Sequence, residues 1–155
     1  MRKFTPPVFI RLLSLISLLV ILTGGSAGCG GKAGQMDPQG DLKMAPMTEM
    51  PSAVQSAPVS VQQAYQFAAA NPDVMQHIPC YCGCGAVGHP SNYACYVAGQ
   101  NADGTLKYDT HALGCSICVD ITQDVMRLLR QNKTIQDIRG YIDQTYSKYG
   151  PSNMP

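Results

Sequence analysis

Residues 115–151 read CSICVDITQDVMRLLRQNKTIQDIRGYIDQTYSKYGP. Ile117, Ile121, Val125, Leu128 and Leu129 recur at helical spacing and form one apolar stripe. Asn132-Lys133 interrupts the stripe, and Thr134 with Asp137 begins a second helix. Ile135, Ile138, Ile142, Thr145 and Tyr149 are expected on its inner face, and Gly150-Pro151 stops it. Gly140 weakens the middle of that helix by about 1 kcal/mol relative to alanine. Two antiparallel helices joined by a short turn follow.

Upstream, Val61, Ala64, Tyr65 and Ala68 share a helical face, with Ser60 and Gln63 in capping-box spacing. Asn71-Pro72 ends that helix and opens a short turn, DVMQHI. Residues 80–114 are rich in Gly, Asn, Asp and His and read as loop. One short hairpin is expected there, with Tyr93 to Ala98 as a strand, Gly99 to Gly104 as a turn and Thr105 to Tyr108 pairing back. The fold class is mainly α: a small domain of three to four helices over residues 60–150, with a cysteine-rich loop region. A core of that size is modest.

The chain has 155 residues, but its start does not belong to that domain. Arg2, Lys3 and Arg11 precede or begin an apolar run from Leu12 to Leu22, followed by small residues. Residues 1–28 read as a secretory signal peptide, and the run is shorter than the ~20 residues of a spanning helix. Ser26-Ala27-Gly28-Cys29 resembles a bacterial lipobox, in which the cysteine is lipidated and becomes the mature N-terminus. Leu at the first lipobox position is replaced by Ser26. The expected location is extracytoplasmic, with the protein anchored by lipid to the bacterial cell membrane. Residues 29–59, rich in Met, Pro and Gly, read as a flexible tether. Removal of residues 1–28 takes the formal charge from +1 to −2, because three bases and no acids leave. That balance gives no footprint for nucleic acid, and no Walker loop, GxGxxG or HExxH is present.

Apart from Cys29, six cysteines remain: Cys80, Cys82, Cys84, Cys95, Cys115 and Cys118. Three chemistries fit them. In an exported chain an even number suggests disulfides, which would pair the three early cysteines with Cys95, Cys115 and Cys118. The protein would then be a stapled adaptor without chemistry of its own. A second reading is metal binding. Gly83 and Gly85 let the C-x-C-x-C sulfurs converge, and Cys115-x-x-Cys118 has metal-knuckle spacing. His89 and His111 flank the cluster as ligands or helpers, with His77 a weaker candidate. Thiolates and imidazoles suit copper(I) first and zinc second. Met44, Met47 and Met50, spaced M-x-x-M-x-x-M, add thioethers that favour copper(I) over zinc. The third reading is thiol–disulfide exchange, with Cys115 or Cys118 at a helix start as the attacking thiolate. A c-type haem is disfavoured, because Val119 and not His follows Cys118. Asp120 and Asp124 read as helix N-terminal charges. Metal binding is favoured, with no catalytic residue outside the redox alternative. A metal-transfer or redox partner protein would go with either chemistry.

Pro79-Cys80-Tyr81-Cys82-Gly83-Cys84, together with His111-x-x-x-Cys115-x-x-Cys118 and Asp120, resembles the PCYCGC-motif lipoproteins. The resemblance covers about residues 60–150 and implies an exported bacterial protein without implying its activity. Residues 115–151 are also similar, more faintly, to the small three-helix thiol-oxidoreductase domain of cytochrome c maturation. That similarity implies an α-helical fold with Cys115 and Cys118 at a helix start. The C-x-C-x-C cluster has no counterpart in that domain.

Overall fold

The computed structural model describes residues 42–155. The expected signal peptide, the expected lipidation site Cys29 and the first part of the expected tether lie outside the described residues. Five helices and one hairpin follow in order: α1 (Ser52–Gln55), α2 (Val59–Ala70), α3 (Pro72–Met75), β1 (Val97–Gln100), β2 (Leu106–Tyr108), α4 (Ser116–Arg130) and α5 (Ile135–Tyr146). Short 3-10 turns stand between them, including Cys84–Val87, Asn92–Cys95 and His111–Leu113. The fold is mainly α, as expected. No helix among the described residues is long and apolar enough to cross a membrane.

Helices α4 and α5 carry the frame. Ile121, Val125 and Leu128 of α4 are buried, as are Ile138 and Ile142 of α5. The turn between them is closed at both ends. Asn132 adopts the left-handed conformation, φ 56°. Its N–H reaches Leu129 O at 2.8 Å, and Lys133 N–H reaches Leu128 O at 3.1 Å. That pair is a Schellman arrangement, with asparagine in the position glycine usually takes. Thr134 Oγ1 then accepts from Asp137 N–H while Asp137 accepts from Thr134 N–H, completing the expected capping box. Tyr146, not Tyr149, is the last buried residue of α5, and its hydroxyl donates to Asp124 Oδ2 at 2.8 Å. The chain tightens into a 3-10 turn at Ser147–Tyr149. Tighter winding shifts the phase, so Tyr149 is left 55 % exposed.

Helix α2 packs across α4. It begins at Val59 behind Pro58, and no side chain caps it. The Ser60–Gln63 box is therefore not formed, and Gln62 instead donates to the carbonyls of Gln55 and Ala57. The hairpin is present, but its first strand starts late. Residues Asn92–Cys95 wind as a 3-10 turn before β1, and the register is interrupted between Val97 and Gly99.

Residues 42–58 differ most from expectation. Composition makes them part of a flexible tether, yet they pack on the domain. Ala45 and Gln66 exchange two hydrogen bonds, Ala45 N–H to Gln66 O at 3.0 Å and Gln66 Nε2 to Ala45 O at 2.8 Å. Asn71 Nδ2 holds Lys43 O at 2.9 Å. Met50 and Val54 are buried in the core, and Met47 packs against it. Two of the three spaced methionines are thus packing groups, and only Met44 is exposed. Met50→Ala is expected to cost about 2–3 kcal/mol. Met44→Ala should stay within about 0.5 kcal/mol. Chemical denaturation of the two reduced variants checks this, and equal stabilities would restore the tether.

Candidate metal centre

Three elements bring the six cysteines together. The loop 79–84 supplies three, the turn Asn92–Cys95 supplies Cys95, and the start of α4 supplies Cys115 and Cys118. Cys115 is the N-cap residue of α4. The first turn of that helix is held by its neighbours. The Cys118 carbonyl accepts from Tyr96 Oη at 2.8 Å, from Thr122 Oγ1 at 3.1 Å and from Asn92 Nδ2 at 3.4 Å. Tyr96 is fully buried and meets Tyr65 edge-on, ring centroids 4.9 Å apart. Tyr65 Oη in turn donates to the Asp109 carbonyl at 2.8 Å. Asp109 Oδ1 accepts the His111 N–H at 2.7 Å, which fixes the turn that carries the imidazole.

The sulfurs form one continuous cluster. Cys80 Sγ lies 3.4 Å from Cys82 Sγ and 3.5 Å from Cys118 Sγ. Cys82 Sγ lies 3.6 Å from Cys118 Sγ and 3.4 Å from His111 Nε2. Cys84 and Cys95 meet at 3.6 Å. A disulfide needs about 2.05 Å, and none of the six cysteines is bridged. The expected pairing of the early cysteines with the late ones is therefore absent. The separations sit instead near the edge of a tetrahedron of thiolates around a metal, about 3.8 Å for bonds of about 2.3 Å.

Two donor groups result. Cys82, His111, Cys115 and Cys118 lie within 4.8 Å of one another, and so do Cys80, Cys84 and Cys95. Both can hold a metal ion. The second group is wholly buried, whereas Cys82 and Cys115 of the first are partly exposed. Cys115 also lines a groove with Pro58, Val61 and Leu113.

The cluster is electrostatically uneven. The neighbouring Cys118 and Cys95 thiols hold the Cys80 thiol down to about 2. Burial, and then the charge on Cys80, push Cys82 and Cys84 up. Cys118 is pushed up above all by its bond to Cys80. The arrangement thus favours a thiolate on Cys80 over one on Cys82, Cys84 or Cys118.

Of the two flanking histidines, His111 reaches the sulfurs. His89 stands outside both groups, its ring edge-on to His111 at 5.1 Å and its Nε2 3.6 Å from Asp109 Oδ2. His77 is exposed and belongs to neither group. One contributor escaped the sequence reading. Asn153 folds back over the loop. Its Oδ1 accepts Cys80 N–H at 2.7 Å, its N–H reaches Cys80 O at 3.1 Å, and its Nδ2 donates to His89 O at 2.9 Å and to Cys84 Sγ at 3.6 Å. Its approach requires small neighbours. A Cβ on Gly85 would meet Asn153 Cβ at 3.2 Å, and one on Gly150 would stand 3.0 Å from Tyr81 O. Tyr81 Oη completes the attachment by donating to Asp143 of α5 at 2.6 Å.

Two outcomes follow for the reduced, metal-free protein. Cys82 and Cys115 should be alkylated first by iodoacetamide, with Cys80, Cys84, Cys95 and Cys118 much slower, as peptide mapping over time would read. Asn153→Ala should cost about 1–3 kcal/mol, because it leaves the Cys80 N–H without its partner. The same variant should speed alkylation of Cys84. Unchanged stability and an unchanged rate would reduce Asn153 to a bystander.

Comparison with known families agrees with the motif. The chain matches, over residues 15–155, the family described as "Protein of unknown function with PCYCGC motif". No curated protein and no solved structure matches it. The fainter similarity to the cytochrome c maturation domain gains no support from these matches. The chain belongs to the PCYCGC-motif family.

Proposed function

We propose that this protein binds a soft metal ion through its cysteine cluster outside the cytoplasm, tethered by a lipid on Cys29. One observation carries the metal reading: six unbridged sulfurs and one imidazole converge at metal-ligand separations. Copper(I) is the favoured ion and zinc the second. Six of the seven donors are sulfur, and one group holds sulfur alone, which suits a soft monovalent ion. The methionines lend less to copper than their spacing suggests, because Met50 is in the core. Anchoring rests on the basic start, the apolar run and Ser26-Ala27-Gly28-Cys29. A protein tethered in this way would handle the ion at the membrane's outer face and pass it to a partner.

The redox reading keeps one observation in its favour. Cys115 is an N-cap, partly exposed beside a groove, with Cys118 one turn behind it. Helix N–H groups stabilise a thiolate there. Cys115 would attack a partner's disulfide and Cys118 would resolve the mixed disulfide, so that two electrons pass to the partner.

The full chain, exported to its native compartment and purified without chelator or reductant, separates the readings. Elemental analysis should find near-stoichiometric copper or zinc, with the six thiols protected until the ion is stripped. Cys82→Ser should lower uptake sharply. A metal-free protein without titratable thiols would overturn metal binding as the resting state. Mixed disulfides that accumulate in Cys118→Ser and vanish in Cys115→Ser would favour the redox reading instead.

A further inference from the structure

The C-x-C-x-C run does not deliver its sulfurs to one place. Cys80 and Cys82 are neighbours, their sulfurs 3.4 Å apart. Gly83 then turns the chain in the left-handed conformation, φ 84°. Cys84 enters a 3-10 turn and meets Cys95. Cys80 and Cys84 thereby fall with Cys95, while Cys82 falls with His111, Cys115 and Cys118.

We propose that the cluster is a two-compartment centre that takes at least two metal ions, with the Cys80 thiolate shared between them. This rests on the soft-metal reading above. The outer compartment offers three thiolates and one imidazole, the donor set of a tetrahedral site. The inner one offers three thiolates and no nitrogen, a set suited to copper(I).

Donor number is the first argument. Zinc takes four ligands in a closed site, and seven donors lie in contact here. One ion in the outer group leaves three sulfurs over, and all three are enclosed, at 0 %, 2 % and 0 % exposure for Cys80, Cys84 and Cys95. The second argument is independent of donor number. Asn153 Nδ2 is directed at Cys84 Sγ. An amide donor aimed at a sulfur supports a thiolate, and three thiols packed only as apolar filler have no use for it. Cys80 is placed to be the bridge, since its sulfur touches Cys82 and Cys118 of the outer group and lies within 4.8 Å of Cys84 and Cys95.

The compartments also differ in access. Cys82 and Cys115 are partly exposed, so the outer site loads first and the inner site fills behind it.

The test is a titration of the reduced full chain, without oxygen, with zinc(II) alone and with copper(I) alone, read by native mass spectrometry. Saturation at two or more ions per chain with either metal is the expected result. Cys84→Ser/Cys95→Ser and His111→Ala/Cys115→Ser should each lower the zinc count to one. Saturation of the wild type at one ion with both metals overturns the two-compartment centre and leaves the soft-metal reading standing. Zero uptake of both metals overturns the two together. The wild-type count decides the question even if a double variant does not fold.

Discussion

Contact between Cys80 and Cys118 joins the cysteine loop to helix α4 at the centre of this domain. Cys80 belongs to a glycine-rich loop, Cys118 to the first turn of α4, and their sulfurs lie 3.5 Å apart in the interior. The loop has few large apolar side chains with which to hold its own shape. Sulfur makes up much of what packs there: Cys80, Cys84 and Cys95 of the loop and Cys118 of α4 sit among the core residues. A free thiol packs as a small hydrophobe. The same four atoms thus serve as core and as ligand shell, so the centre cannot be altered without disturbing the packing.

That double use explains why so many hydrogen bonds gather on the backbone around the sulfurs. Three side chains fix the Cys118 carbonyl, and one asparagine fixes both the N–H and the carbonyl of Cys80. Buried backbone groups must be paired. Here the partners come from distant segments, which makes the pairing a clamp on the loop as well. Asp109 does similar work with its three oxygens. It accepts from Tyr65 through its carbonyl and from the His111 N–H through Oδ1, and its Oδ2 faces His89. A donor cluster held in this way has its geometry set by the protein itself.

Helices α4 and α5 were legible because their apolar periodicity, the Asn132 turn and the Thr134 cap all agree. Residues 42–58 were not, because a helix of four residues behind a proline leaves no period to read. Their packing depends on where α2 lies. Tyr149 was misplaced because a 3-10 turn changes the phase after Tyr146. At the site, residue types were legible and their grouping was not. His89 and His111 stand at comparable sequence distances from a cysteine, and only the Asp109 turn separates their roles. Asn153 lies 73 residues from Cys80 and has no local signature.

The division of the cysteines follows from a physical asymmetry of the loop. A glycine in the left-handed region costs little, whereas another residue there would be strained. With Gly83 in that conformation, the third cysteine leaves the line of the first two. With a residue unable to adopt it, Cys84 would stay in line with Cys80 and Cys82, and Cys95 would lose its 3.6 Å neighbour. No atom lies within 4 Å of a Cβ built on Gly83. The glycine is therefore required by its backbone conformation and not by crowding, and in C-x-C-G-C it turns the third cysteine toward Cys95.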